Sequence, residues 1–95
     1  MFIVSLTYVQ PLEAVEAALV DHVQFLDRYY AEGHFICSGR KNPRTGGIIL
    51  CRGNDPAELD RILSEDPFRQ RGIARYEVIE FCPTKCAEGF EAFTG

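Results

Sequence analysis

Long runs of lysine and arginine are absent from this sequence of 95 residues. Its 10 Lys and Arg residues are outnumbered by 14 Asp and Glu residues, which gives a formal net charge of −4. Proteins that hold nucleic acid need a basic surface that attracts phosphates. The composition therefore predicts that nucleic acid is not a partner.

The sequence also lacks a long hydrophobic run and a basic segment ahead of its first apolar residues. No apolar stretch approaches the roughly 20 residues that cross a bilayer, and "MFIVSLTYV" lacks the charged region of a signal peptide. We therefore expect a cytoplasmic protein with no membrane partner. Thiols stay reduced in that compartment, so we expect four free cysteines: Cys37, Cys51, Cys82 and Cys86.

Ligands with the spacing of a zinc site are missing. Cys82 and Cys86 lie four positions apart and His22 and His34 are the only histidines, whereas structural zinc needs four well-spaced ligands. A redox disulfide between Cys82 and Cys86 remains open beside plain thiols. The segment "NPRTGGI" matches no phosphate-binding glycine motif and predicts a mobile loop at the mouth of a site. Nothing in the sequence requires a metal or an organic cofactor.

What the sequence does contain is enough apolar material for one folded core. Hydrophobic residues make up 46% of the chain and aromatic residues 12%, and this length suits a single domain. We predict one domain over residues 1–83 and a C-terminal tail over residues 84–95. Phe90 and Phe93 of the tail are expected to pack against other residues.

Apolar periodicity predicts six secondary-structure elements. Residues 2–9 alternate as in a strand, and apolar residues then recur every three or four positions in a long helix that ends near Gly33. Two β-branched runs around "KNPRTG" predict a hairpin, and "NDPAELDRILSE" predicts a short helix with a capping box. Residues 74–82 form the last predicted strand.

The resulting order, β-α-β-β-α-β, is typical of a ferredoxin-like α+β fold. In that fold two helices cover one face of an antiparallel four-stranded sheet. The other face of the sheet would be bare and partly apolar. We therefore predict a homodimer that packs sheet against sheet.

His22 and Asp66 are the first candidates for chemistry. His22 borders the apolar stripe of the long helix, where a lone imidazole more often bonds a backbone carbonyl than a substrate. Asp66 precedes Pro67, as a helix N-cap precedes the first helical residue. However, Arg69 stands where a capping glutamate would, and Gly72 follows after about one turn. The residues alone leave open whether Asp66 is a cap or half of an acid/base pair.

Ser38 and the basic middle of the chain are the second candidates. Ser38 lies in the first hairpin strand, on the side of Ile36 if the alternation is regular, and its hydroxyl suits a ligand contact or a strand. Residues 35–76 carry eight basic against five acidic side chains. This excess either favours a small anionic ligand or reflects ordinary solvated side chains.

Several of these motifs together resemble the YciI-like (YCII-related) domain family. The motifs that carry the likeness are His22 with Phe25 and Leu26, Gly33 at the helix end, "SGRKNPRTGGIIL" at residues 38–50, and Asp66-Pro67-Phe68 with Gly72. The likeness runs from the first strand to about Phe81. It implies a dimeric α+β barrel of ferredoxin-like protomers, related to muconolactone isomerase-like small enzymes.

The resemblance also implies an active site built on a histidine, an aspartate and a nearby serine. Carried over, these are His22, Asp66 and Ser38. Arg40 departs from the pattern, because many members have proline after the Ser-Gly, and the cysteine-bearing tail lies outside it. A carboxylate that accepts from one imidazole nitrogen fixes the tautomer and leaves the other nitrogen free to move a proton.

We therefore predict a small lyase or isomerase in which His22 moves a proton on a small, aromatic and anionic molecule and Asp66 orients the histidine. The predicted substrate-binding residues are Ser38, Gly39, Arg40 and Lys41. The alternative, from another class, is a non-catalytic dimeric module that binds a metabolite or regulates a partner. In that alternative the polar pair is structural, and the sequence leaves open whether the protein is an enzyme.

Overall fold

A four-stranded antiparallel sheet with helices on one face frames the protein. In the computed structural model, which describes residues 1–94, the elements in chain order are β1 (Phe2–Tyr8), α1 (Leu12–Ala31), β2 (Phe35–Arg40), β3 (Gly46–Cys51), α2 (Pro56–Leu63), α3 (Pro67–Gln70), β4 (Ala74–Glu80) and α4 (Glu91–Thr94). The strands lie in the order β2-β3-β1-β4, which is the ferredoxin-like arrangement. Gly95, the end of the predicted tail, lies outside the described residues.

Two short helices go beyond the six elements that periodicity predicts. The single turn α3 follows Asp66, and α4 lies in the C-terminal tail. The last strand ends at Glu80, earlier than predicted. The long helix ends at Ala31, and Gly33 just beyond it has a φ of +82°, the left-handed conformation that glycine adopts at little cost.

The core lies between α1, α2 and the inner face of the sheet. Strand β1 supplies Phe2, Val4 and Leu6, which alternate inward as its pattern predicts. Helix α1 buries one residue every three or four positions: Val15, Ala18, His22, Phe25 and Tyr29. A histidine therefore occupies a position of the buried row of α1 that would otherwise hold an apolar side chain.

A bulge in β2 decides which face carries Ser38. Phe35 pairs with Cys51 and Ser38 pairs with Ile49, with a register shift between Phe35 and Cys37. Cross-strand partners share a face, and Ile49 and Cys51 are both buried under the helices. Ser38 therefore lies on the inner face with Phe35. Regular alternation would have put Phe35 and Ser38 on opposite faces, and the extra residue of the bulge puts them on the same face.

The C-terminal tail comes close to the end of β3. The pairing of β4 with β1 continues to Phe81, whose amide donates to the Met1 carbonyl at 3.0 Å. Farther along, the Phe93 ring lies 5.4 Å from the Arg52 guanidinium carbon and 6.0 Å from the Phe90 ring centroid. Both phenylalanines stay partly exposed.

No helix within residues 1–94 has both the length and the apolar character needed to span a membrane.

Candidate functional site

The structure brings His22 and Asp66 into contact although 44 positions separate them in the chain. His22 Nδ1 lies 2.8 Å from Asp66 Oδ1. Helix α1 places the histidine at its buried face, and α3 starts directly after the aspartate. Asp66 is fully buried, with 0% of its surface exposed. A buried carboxylate without donors is very unfavourable, so its partners decide whether this arrangement is stable.

Asp66 is at the same time the N-cap of α3. Its Oδ1 accepts from the Phe68 amide at 3.0 Å, and Pro67 occupies the first helical position. One carboxylate oxygen thus serves both the helix start and the histidine. The two interpretations that the sequence leaves open are compatible, because a carboxylate oxygen accepts more than one hydrogen bond.

The ring of His22 is fixed by stacking as well as by the aspartate. It lies on the Phe68 ring with centroids 3.9 Å apart and planes at 4°. An ionised carboxylate only accepts hydrogen bonds, so this contact favours the tautomer of His22 that carries its hydrogen on Nδ1. Nε2 has no hydrogen-bond partner among residues 1–94, and His22 lines a cavity. This nitrogen is therefore available to a ligand.

Tyr76 completes the surroundings of Asp66, and sequence reasoning did not single it out. Its hydroxyl donates a short hydrogen bond to Asp66 Oδ2. Burial, followed by the negative charge of Asp66, raises the pKa of the Tyr76 phenol well above its usual value. The sequence signal is weak. Tyr76 lies two residues after Ala74 on β4 and so shares its face, but only the pairing of Tyr76 with Leu6 shows that this face is turned toward the helices.

The cavity beside His22 lies between α1 and the inner face of the sheet and has a volume of about 590 Å³. This is within the range of ligand-binding pockets. Its apolar lining includes Leu6, Leu19, Val23, Leu26, Ile49 and Phe68. Its polar lining consists of Tyr8, Glu16, His22, Ser38, Arg40 and Arg44. An apolar cavity with a few polar groups suits a small organic molecule.

Three of the four predicted substrate-binding residues line this cavity: Ser38, Gly39 and Arg40. Ser38 Oγ lies 2.6 Å from the Tyr30 hydroxyl oxygen, so its second hydrogen-bonding capacity is open to a ligand. Lys41 is not part of the lining. Its Nζ donates to Thr7 Oγ1 at 3.2 Å, and Thr7 alternates with the inward-facing Leu6, which places it on the other face of the sheet.

The charges at the cavity are unequally paired. Arg44 lies 3.4 Å from Glu16, measured between Nη1 and Oε1. Arg40 has no salt-bridge partner within residues 1–94. An unpaired guanidinium at an apolar cavity favours an anionic group on the ligand.

Metal-ligand clusters are not found in the described part of the chain. No group of three or more His, Cys, Asp or Glu side chains there has a metal-binding arrangement. All four cysteines are free.

The protein is a ferredoxin-like α+β domain, and it has a buried histidine–aspartate pair beside a cavity of ligand size. The sequence matches the YCII-related domain over residues 1–82. The chain therefore belongs to the YCII-related domain family, and the predicted family is confirmed.

One similar solved structure is 5-chloro-2-hydroxyhydroquinone dehydrochlorinase from Burkholderia phenoliruptrix AC1100, in complex with 2,5-dihydroxybenzoquinone. The TM-score is 0.70 at 16% sequence identity, over 85% of this chain and 93% of that chain. This likeness confirms the predicted α+β fold. The comparison with curated proteins found no match.

Proposed function

We propose that the protein is a small enzyme of lyase or isomerase type that uses His22 for general acid/base chemistry. One observation carries the proposal. His22 Nδ1 is hydrogen-bonded to the fully buried carboxylate of Asp66. Its Nε2 has no hydrogen-bond partner among residues 1–94, and His22 lines a cavity of about 590 Å³. An imidazole that is oriented at one nitrogen and open at the other is suited to proton transfer.

In this proposal His22 Nε2 removes a proton from the substrate or returns one to it. Asp66 holds the tautomer and stabilises the imidazolium that forms. Positioned acid/base groups of this kind typically accelerate a reaction by about 10² to 10⁴. Ser38 donates to or accepts from a polar group of the substrate, and Arg40 balances a negative charge.

For the substrate we propose a flat, hydroxylated aromatic ring that readily becomes anionic. The apolar lining around Phe68 offers surface for a ring, and Arg40 offers charge for an ionised hydroxyl. The structural neighbour, a dehydrochlorinase of a chlorinated hydroxyhydroquinone, supports this class of substrate. The reaction of that neighbour is of lyase type.

The test compares two variants in which a different histidine is replaced by glutamine. Wild type, His22→Gln and His34→Gln are assayed for chloride release from 5-chloro-2-hydroxyhydroquinone and for binding of 2,5-dihydroxybenzoquinone. His34 is the matched control, because it lies outside the cavity, with Nε2 3.8 Å from Glu58. We expect His22→Gln to lose about 10² to 10⁴ in turnover and His34→Gln to keep it. Equal turnover in wild type and His22→Gln would contradict the mechanism.

A non-catalytic metabolite-binding module is the second candidate. It is favoured by the capping role of Asp66, which accounts for the conformation of this residue without any reaction. A binding module would hold 2,5-dihydroxybenzoquinone and show no turnover. In that case His22→Gln would leave the affinity nearly intact.

We also propose a homodimer formed through the open face of the sheet. On that face Ile3 pairs with Leu50 on one side and with Ile79 on the other, and Ile79 is 51% exposed. A row of apolar side chains across three strands is a surface that a second copy would cover. A cytoplasmic location is proposed as well, since it keeps free thiols reduced.

A further inference from the structure

We propose that Tyr76 is a positioning residue, which holds Asp66 so that its carboxylate remains the acceptor for His22 Nδ1. The importance of this role for catalysis rests on the proposed function. The effect of Tyr76 on the His22–Asp66 contact can be tested without a substrate.

The argument begins with the three donors around the carboxylate of Asp66. Oδ1 accepts from His22 Nδ1 and from the Phe68 amide. Oδ2 accepts from the Tyr76 hydroxyl alone among the described residues. With both oxygens held, the carboxylate plane is fixed and Oδ1 cannot turn away from the imidazole.

The three donors come from three different elements, two of them helices and one a strand of the sheet. His22 belongs to α1 and Phe68 to α3, whereas Tyr76 belongs to β4 of the sheet. Tyr76 is paired in register with Leu6, which lines the cavity. The tyrosine therefore ties the carboxylate to the strand that forms part of the cavity wall.

Tyr76 stays a hydrogen-bond donor because its phenol resists ionisation. Burial and the charge of Asp66 raise the pKa of its phenol, so it does not ionise beside the carboxylate. Its hydroxyl has one hydrogen to give, and Oδ2 takes it.

Removal of the Tyr76 hydroxyl would leave a buried carboxylate oxygen without a donor within residues 1–94. The carboxylate is then no longer held at both oxygens, so it can turn and Oδ1 no longer faces His22 Nδ1. The Nδ1–H tautomer loses the acceptor that favours it, and neutral imidazole shifts toward the Nε2–H form without any change in its proton count. That shift places the hydrogen on the nitrogen that the proposed reaction needs as a base, which is why the hydroxyl of Tyr76 matters to His22.

The test is the tautomer of His22, measured by long-range ¹H–¹⁵N NMR at alkaline pH, where imidazole is neutral. Wild type is compared with Tyr76→Phe and with the matched control Tyr29→Phe. Tyr29 also donates a short hydrogen bond to a carboxylate, that of Glu65, away from the pair. We expect the Nδ1–H form in wild type and in Tyr29→Phe. In Tyr76→Phe the ratio should move toward Nε2–H by about fivefold or more, the size of one net hydrogen bond.

An unchanged tautomer ratio in Tyr76→Phe would overturn the inference, and so would an equal shift in Tyr29→Phe. If Tyr76→Phe does not fold, wild type decides through two signals: the Nδ1–H form of His22 together with a slowly exchanging hydroxyl proton on Tyr76 supports the inference, and the absence of either contradicts it. Failure of the proposed function gives a different result. Wild type would have the Nδ1–H form and Tyr76→Phe would have less of it, but wild type would show no turnover. The two proposals can therefore fail separately.

Discussion

At the level of single residues, burial separates the four cysteines into two kinds. Cys51 is 1% exposed in the core, and burial raises the pKa of its thiol to about 12. Cys37, Cys82 and Cys86 are exposed. Because the thiolate is the reactive form, we expect a thiol reagent to modify three cysteines in the folded protein and the fourth only in denaturant. Rapid modification of Cys51 in the folded protein, located by mass spectrometry, would contradict this prediction.

Tyr29 and Glu65 give a prediction for acid. The Tyr29 hydroxyl, with smaller contributions from Arg28 and Arg61, lowers the pKa of Glu65 below 4.5. A carboxyl whose pKa is lower in the folded state stabilises the protein above its unfolded pKa, and this stabilisation is lost as the pH falls through the folded pKa. Tyr29→Phe should therefore reduce the loss of stability below pH 4.5. Urea unfolding of both proteins on each side of that pH measures the difference.

At the level of elements, β3 depends on a glycine where the strand begins. A Cβ on Gly46 would lie 1.7 Å from the Leu6 carbonyl oxygen on β1. Gly39 on β2 has nothing within 4 Å of such an atom. We expect Gly46→Ala to cost roughly 2–3 kcal/mol of unfolding free energy through overpacking. Gly39→Ala should change the stability by less than about 0.5 kcal/mol.

Chemical denaturation of the two glycine variants checks this prediction. A similar stability for Gly46→Ala and Gly39→Ala would mean that β1 and β3 can move apart at no cost. Such a result would also question the position of Leu6 in the cavity wall.

The elements themselves follow from the sequence to a large extent. Alternation and helical spacing place β1 and α1 correctly, because one face of each is buried and the other is not. The bulge in β2 could not be predicted, since it depends on pairing with β3. For that reason regular alternation would place Ser38 on the face opposite Phe35, whereas the two residues share a face.

At the level of the whole molecule, the candidate site depends on contacts that no local pattern contains. The resemblance names His22 and Asp66 as partners, and neighbouring residues alone could not do so across 44 positions. Tyr76 escaped even the resemblance. Its neighbour on β1 is set by strand register, which is a property of the assembled sheet.

The proposed dimer gives a prediction at the same scale. Ile79→Lys introduces a charge into the row of apolar residues on the open face of the sheet. Burial of an unpaired charge is unfavourable, so we expect this variant to be a monomer at micromolar concentration and wild type a dimer. Light scattering distinguishes the two. A monodisperse wild-type monomer would contradict the proposed interface.

The predicted division of the chain at residue 83 can be tested by truncation. Phe93 and Phe90 remain 38% and 57% exposed, so removal of residues 84–95 exposes little buried surface. We expect the shortened chain to fold with a stability close to that of the whole chain. A large decrease in its urea midpoint would show that the tail belongs to the domain.

Asp66 Oδ1 accepts hydrogen bonds both from α3 and from His22, so local unfolding of α3 also takes the candidate site apart. The amide of Phe68 and the ring of His22 share this oxygen, and the Phe68 ring also supports the imidazole. Hydrogen exchange at the Phe68 amide therefore measures how often the site opens in the folded protein. If exchange there is faster than in the core strands, rising temperature will dismantle the site before the protein melts.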